Sequence, residues 1–270
     1  MECHGKNVII ELTYECNFAC PYCYVPWHDH PEIRKPELTT SEWKSIIRDI
    51  GDAGASSITF TGGEPLMRTD AIELIEYAKK ETFIPRLIVY TNLGMANDRF
   101  FDAVDDARVS VSSSLQGCAT ISEMSGCPRS IDEFAVACRR ISSSRAELSI
   151  GVTVTKVNAC EIEEVLYFAD SLHPITIQAG VLMVEGRAKR HPELWMSFDE
   201  IVEVHKRIES CRSSLQANLV VINELFCSCR MDSVKPAGLP ADYIPDTCIA
   251  ARDYVVLGPD GSRRKCMHTY

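Results

Sequence analysis

Three cysteines stand within eight residues of one another, in the order Cys16-Asn17-Phe18-Ala19-Cys20-Pro21-Tyr22-Cys23, and Tyr24 follows them. Iron–sulfur clusters are held by cysteine thiolates, usually four. Three thiolates from one loop leave one iron of a 4Fe–4S cube without a protein ligand. A small molecule that chelates the cluster and takes an electron from it needs such an open iron. The competing reading is a structural zinc site. Zinc wants paired Cys-x2-Cys or histidine partners. No histidine lies within the loop, although His28 and His30 follow it. A second set, Cys227, Cys229, Cys248 and Cys266, gathers near the end of the chain.

The chain has 13 cysteines in 270 residues. An odd count, spread out and with no apolar signal segment in Met1 to Asn7, does not read as a disulfide framework. Cys138, Cys160 and Cys211 sit in apolar or helical patterns and are expected to be small buried hydrophobes. The net charge of −10 disfavours nucleic acid phosphates as partners. No apolar run approaches the roughly 20 residues of a membrane span, so a cytoplasmic protein is expected.

The elements that must position these residues alternate strand and helix. Strands are expected at 8–12, 57–61, 86–91, 109–115, 148–155 and 175–184. Helices are expected at 40–50, 70–80, 98–105, 131–141, 161–172 and 198–213, the first capped by Thr40 or Ser41. Six strands each followed by a helix imply a parallel sheet with right-handed crossovers. A closed eight-unit barrel typically needs about 250 residues. The alternation fades near 185, so the expectation is an α/β fold with a partial (β/α)6 barrel. From Leu215 onward the chain is rich in Pro, Gly and Cys, which divides it into 1–213 and a small cysteine-rich subdomain, 214–270.

Cys-x3-Cys-x2-Cys followed by an aromatic, in the loop after the first strand, resembles the signature of the radical S-adenosylmethionine superfamily. The resemblance covers most of the chain. Thr61-Gly62-Gly63-Glu64-Pro65 is similar to the family's Gly-Gly-Glu-Pro motif, whose backbone and glutamate bind the ammonium of S-adenosylmethionine. Glycines let backbone carbonyls approach a ligand, and Glu64 offers that ammonium a counter-charge. Thr91-Asn92 resembles the family's Thr-Asn-Gly element, with Leu93 intervening before Gly94. Ser112 to Gly117 resembles the Ser-Leu-Asp-Gly stretch near the ribose, with Gln116 in place of the aspartate. Thr153 to Asn158 resembles a stretch of relatives with C-terminal extensions, and Gly186-Arg187-Ala188 one frequent in peptide maturases. The resemblance thus implies a 4Fe–4S cluster on Cys16, Cys20 and Cys23. It implies S-adenosylmethionine held by Tyr22, Gly62, Gly63, Glu64, Pro65, Asn92, Ser114 and Arg187, the last able to pair with a carboxylate.

Asp260-Gly261 is a hairpin signal between two short strands. Cys248-x12-Gly261-x4-Cys266 resembles the opening of a SPASM or twitch extension. With Cys227 and Cys229 it implies four ligands for an auxiliary 4Fe–4S cluster; a zinc knuckle or unrelated buried cysteines is the alternative. A full SPASM needs further cysteines after Cys266, so either one auxiliary cluster or a truncated relative is expected.

The function implied is reductive cleavage of S-adenosylmethionine to a 5′-deoxyadenosyl radical, which abstracts hydrogen from a peptide or protein side chain. Crosslinking, epimerisation or oxidation would follow. A radical dehydrogenase of a small molecule, of aminosugar type, is the runner-up, because no peptide-recognition domain is expected ahead of a strand at Val8. A non-catalytic iron–sulfur electron carrier is the third reading. Expected partners are the peptide or small-molecule substrate and a reductant such as flavodoxin or ferredoxin. No catalytic acid, base or radical relay is legible; Cys118, Cys127, Tyr90 and Glu185 qualify by type alone.

Overall fold

The computed structural model describes residues 3–226, 233–245, 250 and 252–268. Its centre is one sheet, assembled from short runs that are apolar at alternate positions. Strands β1 (Asn7–Glu11), β2 (Ser57–Thr61), β3 (Arg86–Tyr90), β4 (Val109–Ser114), β5 (Glu147–Val154), β6 (Thr176–Val181) and β7 (Asn218–Ile222) pair in sequence order, every neighbour parallel. Strand β8 (Tyr254–Leu257) pairs in parallel with the other side of β1, and β9 (Arg263–Arg264) turns back antiparallel on β8. The order β7-β6-β5-β4-β3-β2-β1-β8-β9 is linear. The sheet is an open, partial barrel.

The crossovers are helical: α1 (Thr40–Asp52), α2 (Ala71–Glu81), α3 (Asp98–Val104), α4 (Ile121–Ser125), α5 (Ile131–Ser142), α6 (Ile162–Asp170) and α7 (Phe198–Cys211). Six strand–helix units stand as the sequence implied, with α4 an unforeseen extra turn in the fourth crossover. Helix α1 begins at Thr40 as expected, but its cap lies one residue before either candidate. Thr39 is its N-cap, and Thr39 and Glu42 form a reciprocal capping box that neither Thr40 nor Ser41 could make.

Successive strand side chains point to opposite faces, and the two faces differ in chemistry. Val8, Ile10, Ile58, Phe60, Leu87, Val89, Val109 and Val111 join the helix residues Trp43, Ile47, Leu74 and Phe100 in one buried core. The alternate positions, Thr59 and Thr61 on β2, Tyr90 on β3, and Ser112 and Ser114 on β4, form the other, polar face. Helices therefore cover one side of the sheet, and the hydroxyl-rich side is left for a ligand.

Two expectations change. Strand β7 extends the sheet where irregular chain was expected, because its exposed-buried alternation is that of an edge strand and gives a weak apolar signal. Cys138 and Cys211 are buried, but Cys160 is exposed, lying on the turn ahead of α6 rather than within its apolar stripe. The hairpin at Asp260-Gly261 forms as expected, with Gly261 at φ +78°.

Candidate functional site

The loop that leaves β1 carries Cys16, Cys20 and Cys23, all partly buried. Burial pushes their thiols up, to about 12 for Cys16 and about 11 for Cys20 and Cys23. Each thiol is also raised by another: Cys16 by Cys20, Cys20 by Cys23, and Cys23 by Cys16. Three partly buried thiols on one loop, each raised by burial, become thiolates only beside a strong positive charge, as metal ligation supplies. The Phe18 N–H donates to Cys16 Sγ at 3.4 Å. Among the described residues no three Cys, His, Asp or Glu side chains converge on one point as a single metal ion requires. His30 is turned away, bonded to Glu32 at 3.0 Å on the surface. In a cubane each thiolate meets a different iron, so this donor set fits a cluster better than zinc.

The Gly-Gly-Glu-Pro segment is built onto the approach to Cys16. Beyond the paired strands, Gly63 N–H donates to Thr13 O at 2.9 Å and Glu64 N–H to Glu15 O at 2.8 Å. Gly62 has φ +141°, and a Cβ there would lie 2.6 Å from Thr13 O. A Cβ on Gly63 would drive into Glu15 O. These glycines are required by the neighbouring chain, whatever ligand they also meet.

Glu64 is 1% exposed, and burial pushes its carboxyl up. Its oxygens accept from Leu66 N–H at 3.0 Å, Thr91 Oγ1 at 2.7 Å and Asn92 N–H at 2.7 Å. The end of β2 is thereby locked to the end of β3. Asn92 continues the chain of contacts, its Nδ2 donating to Asn17 Oδ1 in the cysteine loop at 2.7 Å. Leu93 sits at φ +64°, a left-handed conformation that favours glycine. The Thr91 hydroxyl accepts its N–H at 3.0 Å. Leu93 stands where the resembled Thr-Asn-Gly element has its glycine, and it adopts a conformation that glycine favours.

Ser114 ends β4 on the polar face, partly buried. Beyond it, Asn158 donates to the carbonyls of Gln116 and Thr153. Glu161 accepts N–H groups from Cys118 and Ala119 at 2.8 Å each and from Thr120 at 3.1 Å. Gln116, standing where the family has an aspartate, is buried. Cys118 thus lies in a backbone cradle around Glu161, and Glu185 is buried and paired with Lys189 at 3.0 Å. Tyr90 is exposed at the carboxyl end of β3.

Arg187 clasps the cysteine loop from the turn that follows β6. Its backbone N–H donates to Cys23 O at 2.8 Å, its Nη1 to Cys20 O at 3.2 Å, and its Nε meets Asp29 at 3.4 Å. Tyr22 packs against the buried cluster of Met124, Leu182, Val184, Ala188 and Leu194. Asn17, Arg129 and Glu161 were missed by sequence reasoning, and Asn158 was read only as the end of a resembling stretch. Asn17 lies between two cysteines and was there to be read; Arg129 and Glu161 have no local signal, because their partners come from other crossovers.

Cys266 is 5% exposed beside the same loop. Burial raises its thiol, but hydrogen bonds from His268 and from the Tyr254 hydroxyl outweigh this and bring it down to about 7. The His268 ring meets Tyr24 edge-on at 5.4 Å. Cys227, Cys229 and Cys248 lie outside the described residues.

The family model described as the radical SAM superfamily matches residues 10–169. Among curated proteins, PqqA peptide cyclase of Rhizobium meliloti (strain 1021) is 27% identical over 217 residues, covering 79% of this chain and 57% of that protein. That of Gluconobacter oxydans (strain 621H) is 25% identical over 211 residues, covering 77% and 58%. The chain spans a little over half the length of these relatives. Among solved structures, SuiB of Streptococcus suis bound to precursor peptide SuiA superposes with a TM-score of 0.76 at 14% identity, covering 98% of this chain and 60% of that one. Native anSMEcpe with bound AdoMet and Cp18Cys peptide gives 0.69 at 14% identity, covering 97% and 74%. These two share the fold. The matched residues run from β1 into α6 and so contain the cysteine loop, the Gly-Gly-Glu-Pro segment and the ends of β3 and β4; the chain belongs to the radical SAM superfamily.

Proposed function

We propose that the chain is the catalytic part of a radical S-adenosylmethionine enzyme that modifies a side chain of a peptide, with Cys16, Cys20 and Cys23 holding the 4Fe–4S cluster. The observation that carries this is the set of three partly buried thiols on one loop that is braced by Glu64, Asn92 and Arg187. When bound, the cluster supplies the electron that cleaves S-adenosylmethionine to a 5′-deoxyadenosyl radical. The protein's own task is placement. Gly62, Gly63, Glu64 and Pro65 present backbone and charge to the amino-acid end of S-adenosylmethionine; Asn92 and Ser114 flank it from the next two strand ends. Tyr22 and Arg187 hold the cysteine loop against the end of β6.

A peptide substrate is supported by the relatives, named PqqA peptide cyclase, and by the shared fold with SuiB, described with its precursor peptide. Oxidoreductase chemistry, a flavodoxin or ferredoxin as reductant, and a cytoplasmic setting belong to the same proposal. No helix of the described residues is long and apolar enough to cross a membrane. The polar face of the sheet, with Tyr90, Ser112 and Ser114, offers hydrogen-bonding groups to a peptide backbone.

Anaerobically reconstituted protein should carry about four irons for one cubane. Joint replacement of Cys16, Cys20 and Cys23 by Ala should remove them, and unchanged iron refutes the assignment. Reduced protein should release 5′-deoxyadenosine faster with its peptide than without. Acceleration by an aminosugar and by no peptide would move the substrate to the small-molecule class. We extend the proposal to residues 214–270 as a unit that binds an auxiliary cluster through Cys227, Cys229, Cys248 and Cys266. Iron near eight per chain, falling by about four in Cys266→Ala, is the expected result.

A further inference from the structure

Arg129 lies between α4 and α5, more than a hundred residues from the cysteine loop, yet it is the side chain that joins that loop to two strand ends. Its Nη1 donates to Ser114 O at 3.1 Å and its Nη2 to Asn92 O at 3.0 Å. The planar guanidinium is stacked between rings, 5.1 Å from the centroid of Phe18 in the cysteine loop and 4.7 Å from that of Phe134 on α5. A planar cation with fixed donors suits this double task of bridging carbonyls and stacking on aromatics. Arg129 acts electrostatically on Cys20, Tyr22 and Glu64, each of which is an anion when ionised. Among the described residues no carboxylate lies within ion-pair distance of it, although the chain makes many such pairs elsewhere.

We propose that Arg129 is a positioning residue that also sets the charge of the site: it fixes the ends of β3 and β4 against the cysteine loop and places beside that loop a positive charge that no carboxylate holds in an ion pair among the described residues. The inference rests on the cluster assignment above. Its logic is electrostatic. Three thiolates make the cluster site negative, and adding an electron makes it more so. A cation held nearby favours the reduced state, and more strongly in a partly buried site than in water. An ordinary structural arginine would bind the same carbonyls with its charge cancelled by a carboxylate. Here the groups it acts on are Glu64, Tyr22 and the cluster ligand Cys20, none of them a carboxylate within ion-pair distance.

The test is a potential titration of reconstituted holoenzyme, monitored by electron paramagnetic resonance, with iron content measured on the same samples. Arg129→Gln keeps donors and removes charge. It is expected to hold the iron of the unmodified protein while the reduced-to-oxidised ratio at the unmodified midpoint falls about tenfold, equivalent to 59 mV for one electron. Arg129→Lys keeps the charge and loses the planar fork. Its ratio should stay within about twofold, while its affinity for S-adenosylmethionine falls because Asn92 and Ser114 are no longer bridged. An unchanged ratio in Arg129→Gln, or a tenfold fall in Arg129→Lys, overturns the proposal. If Arg129→Gln fails to take up iron, the Arg129→Lys ratio decides alone. Unmodified protein that binds no cluster would instead refute the cysteine assignment, and the two failures are thereby distinguishable.

Discussion

Arg264, on the two-residue strand β9, pairs with the carboxylate of Glu11 at the end of β1, 253 positions earlier in the chain. Glu11 has no exposed side-chain surface and Arg264 only 10%. Glu11 is the last residue of the strand that feeds the cysteine loop, so the C-terminal hairpin is anchored to the base of the candidate site.

Breaking a buried pair by removing one partner leaves the other charge stranded, at a cost of about 3–5 kcal/mol. Arg264→Met should therefore lower the urea midpoint sharply. Replacing both residues, Glu11→Leu with Arg264→Met, should recover most of the loss. Equal destabilisation in the single and double variants would show that the pair does not anchor the hairpin.

Glu64 has two duties that one substitution affects together. Removing its carboxylate leaves the donors of Leu66, Thr91 and Asn92 unpaired, at about 1–3 kcal/mol for each that stays buried. It also removes a charge-assisted contact worth roughly 1.5–3 kcal/mol, or about 10- to 150-fold in affinity for S-adenosylmethionine. Glu64→Ala should show both losses at unchanged iron content. Thr91→Val removes one donor and keeps the charge, so it should lower the melting temperature and leave the dissociation constant near that of the unmodified protein. A dissociation constant unmoved in Glu64→Ala would end the ammonium assignment.

Gly63 is held against Glu15, one residue before Cys16. A methyl group there meets backbone rather than a flexible side chain, so the approach to Cys16 must shift. Gly63→Ala should reduce iron incorporation on reconstitution even where circular dichroism is unchanged. Gly151→Ala is the control, since its Cβ would lie an ordinary 3.9 Å from Ser113 O. Equal iron in the two variants would count against the close approach.

Glu161 titrates in favour of the native state. Burial raises its carboxyl, but hydrogen bonds from the Thr120 hydroxyl and from three backbone N–H groups outweigh this and hold it below its ordinary 4.5. The unfolded chain therefore takes up the proton more readily than the folded one. The stabilisation is complete above about pH 4.5 and is lost as the pH falls through the lower, folded value. Thermal melts of Glu161→Gln should lie below those of the unmodified protein at pH 6, and the gap should narrow as the pH is lowered towards 3. A constant gap across that range would mean that ionisation of Glu161 does not contribute.

The cysteine triplet and Gly62-Gly63-Glu64-Pro65 were legible because each is a contiguous run whose chemistry depends on local spacing. The six strand–helix units were legible for a related reason. Apolar periodicity is a local property, and parallel strands with crossover helices leave few ways to bury the resulting faces. Residue types and order alone thus determined the superfamily-like motifs and the partial barrel. Tertiary structure decided the partners. Glu64 was read as a group facing a ligand, and folding shows its oxygens also tying β2 to β3. Arg187 was read as a carboxylate partner, and it clasps the carbonyl of Cys20. Arg129 was invisible, because the two carbonyls it bridges end different strands and the ring beneath it comes from a third segment. Such contacts join segments far apart in sequence, and only the register of the parallel sheet brings them within hydrogen-bond reach.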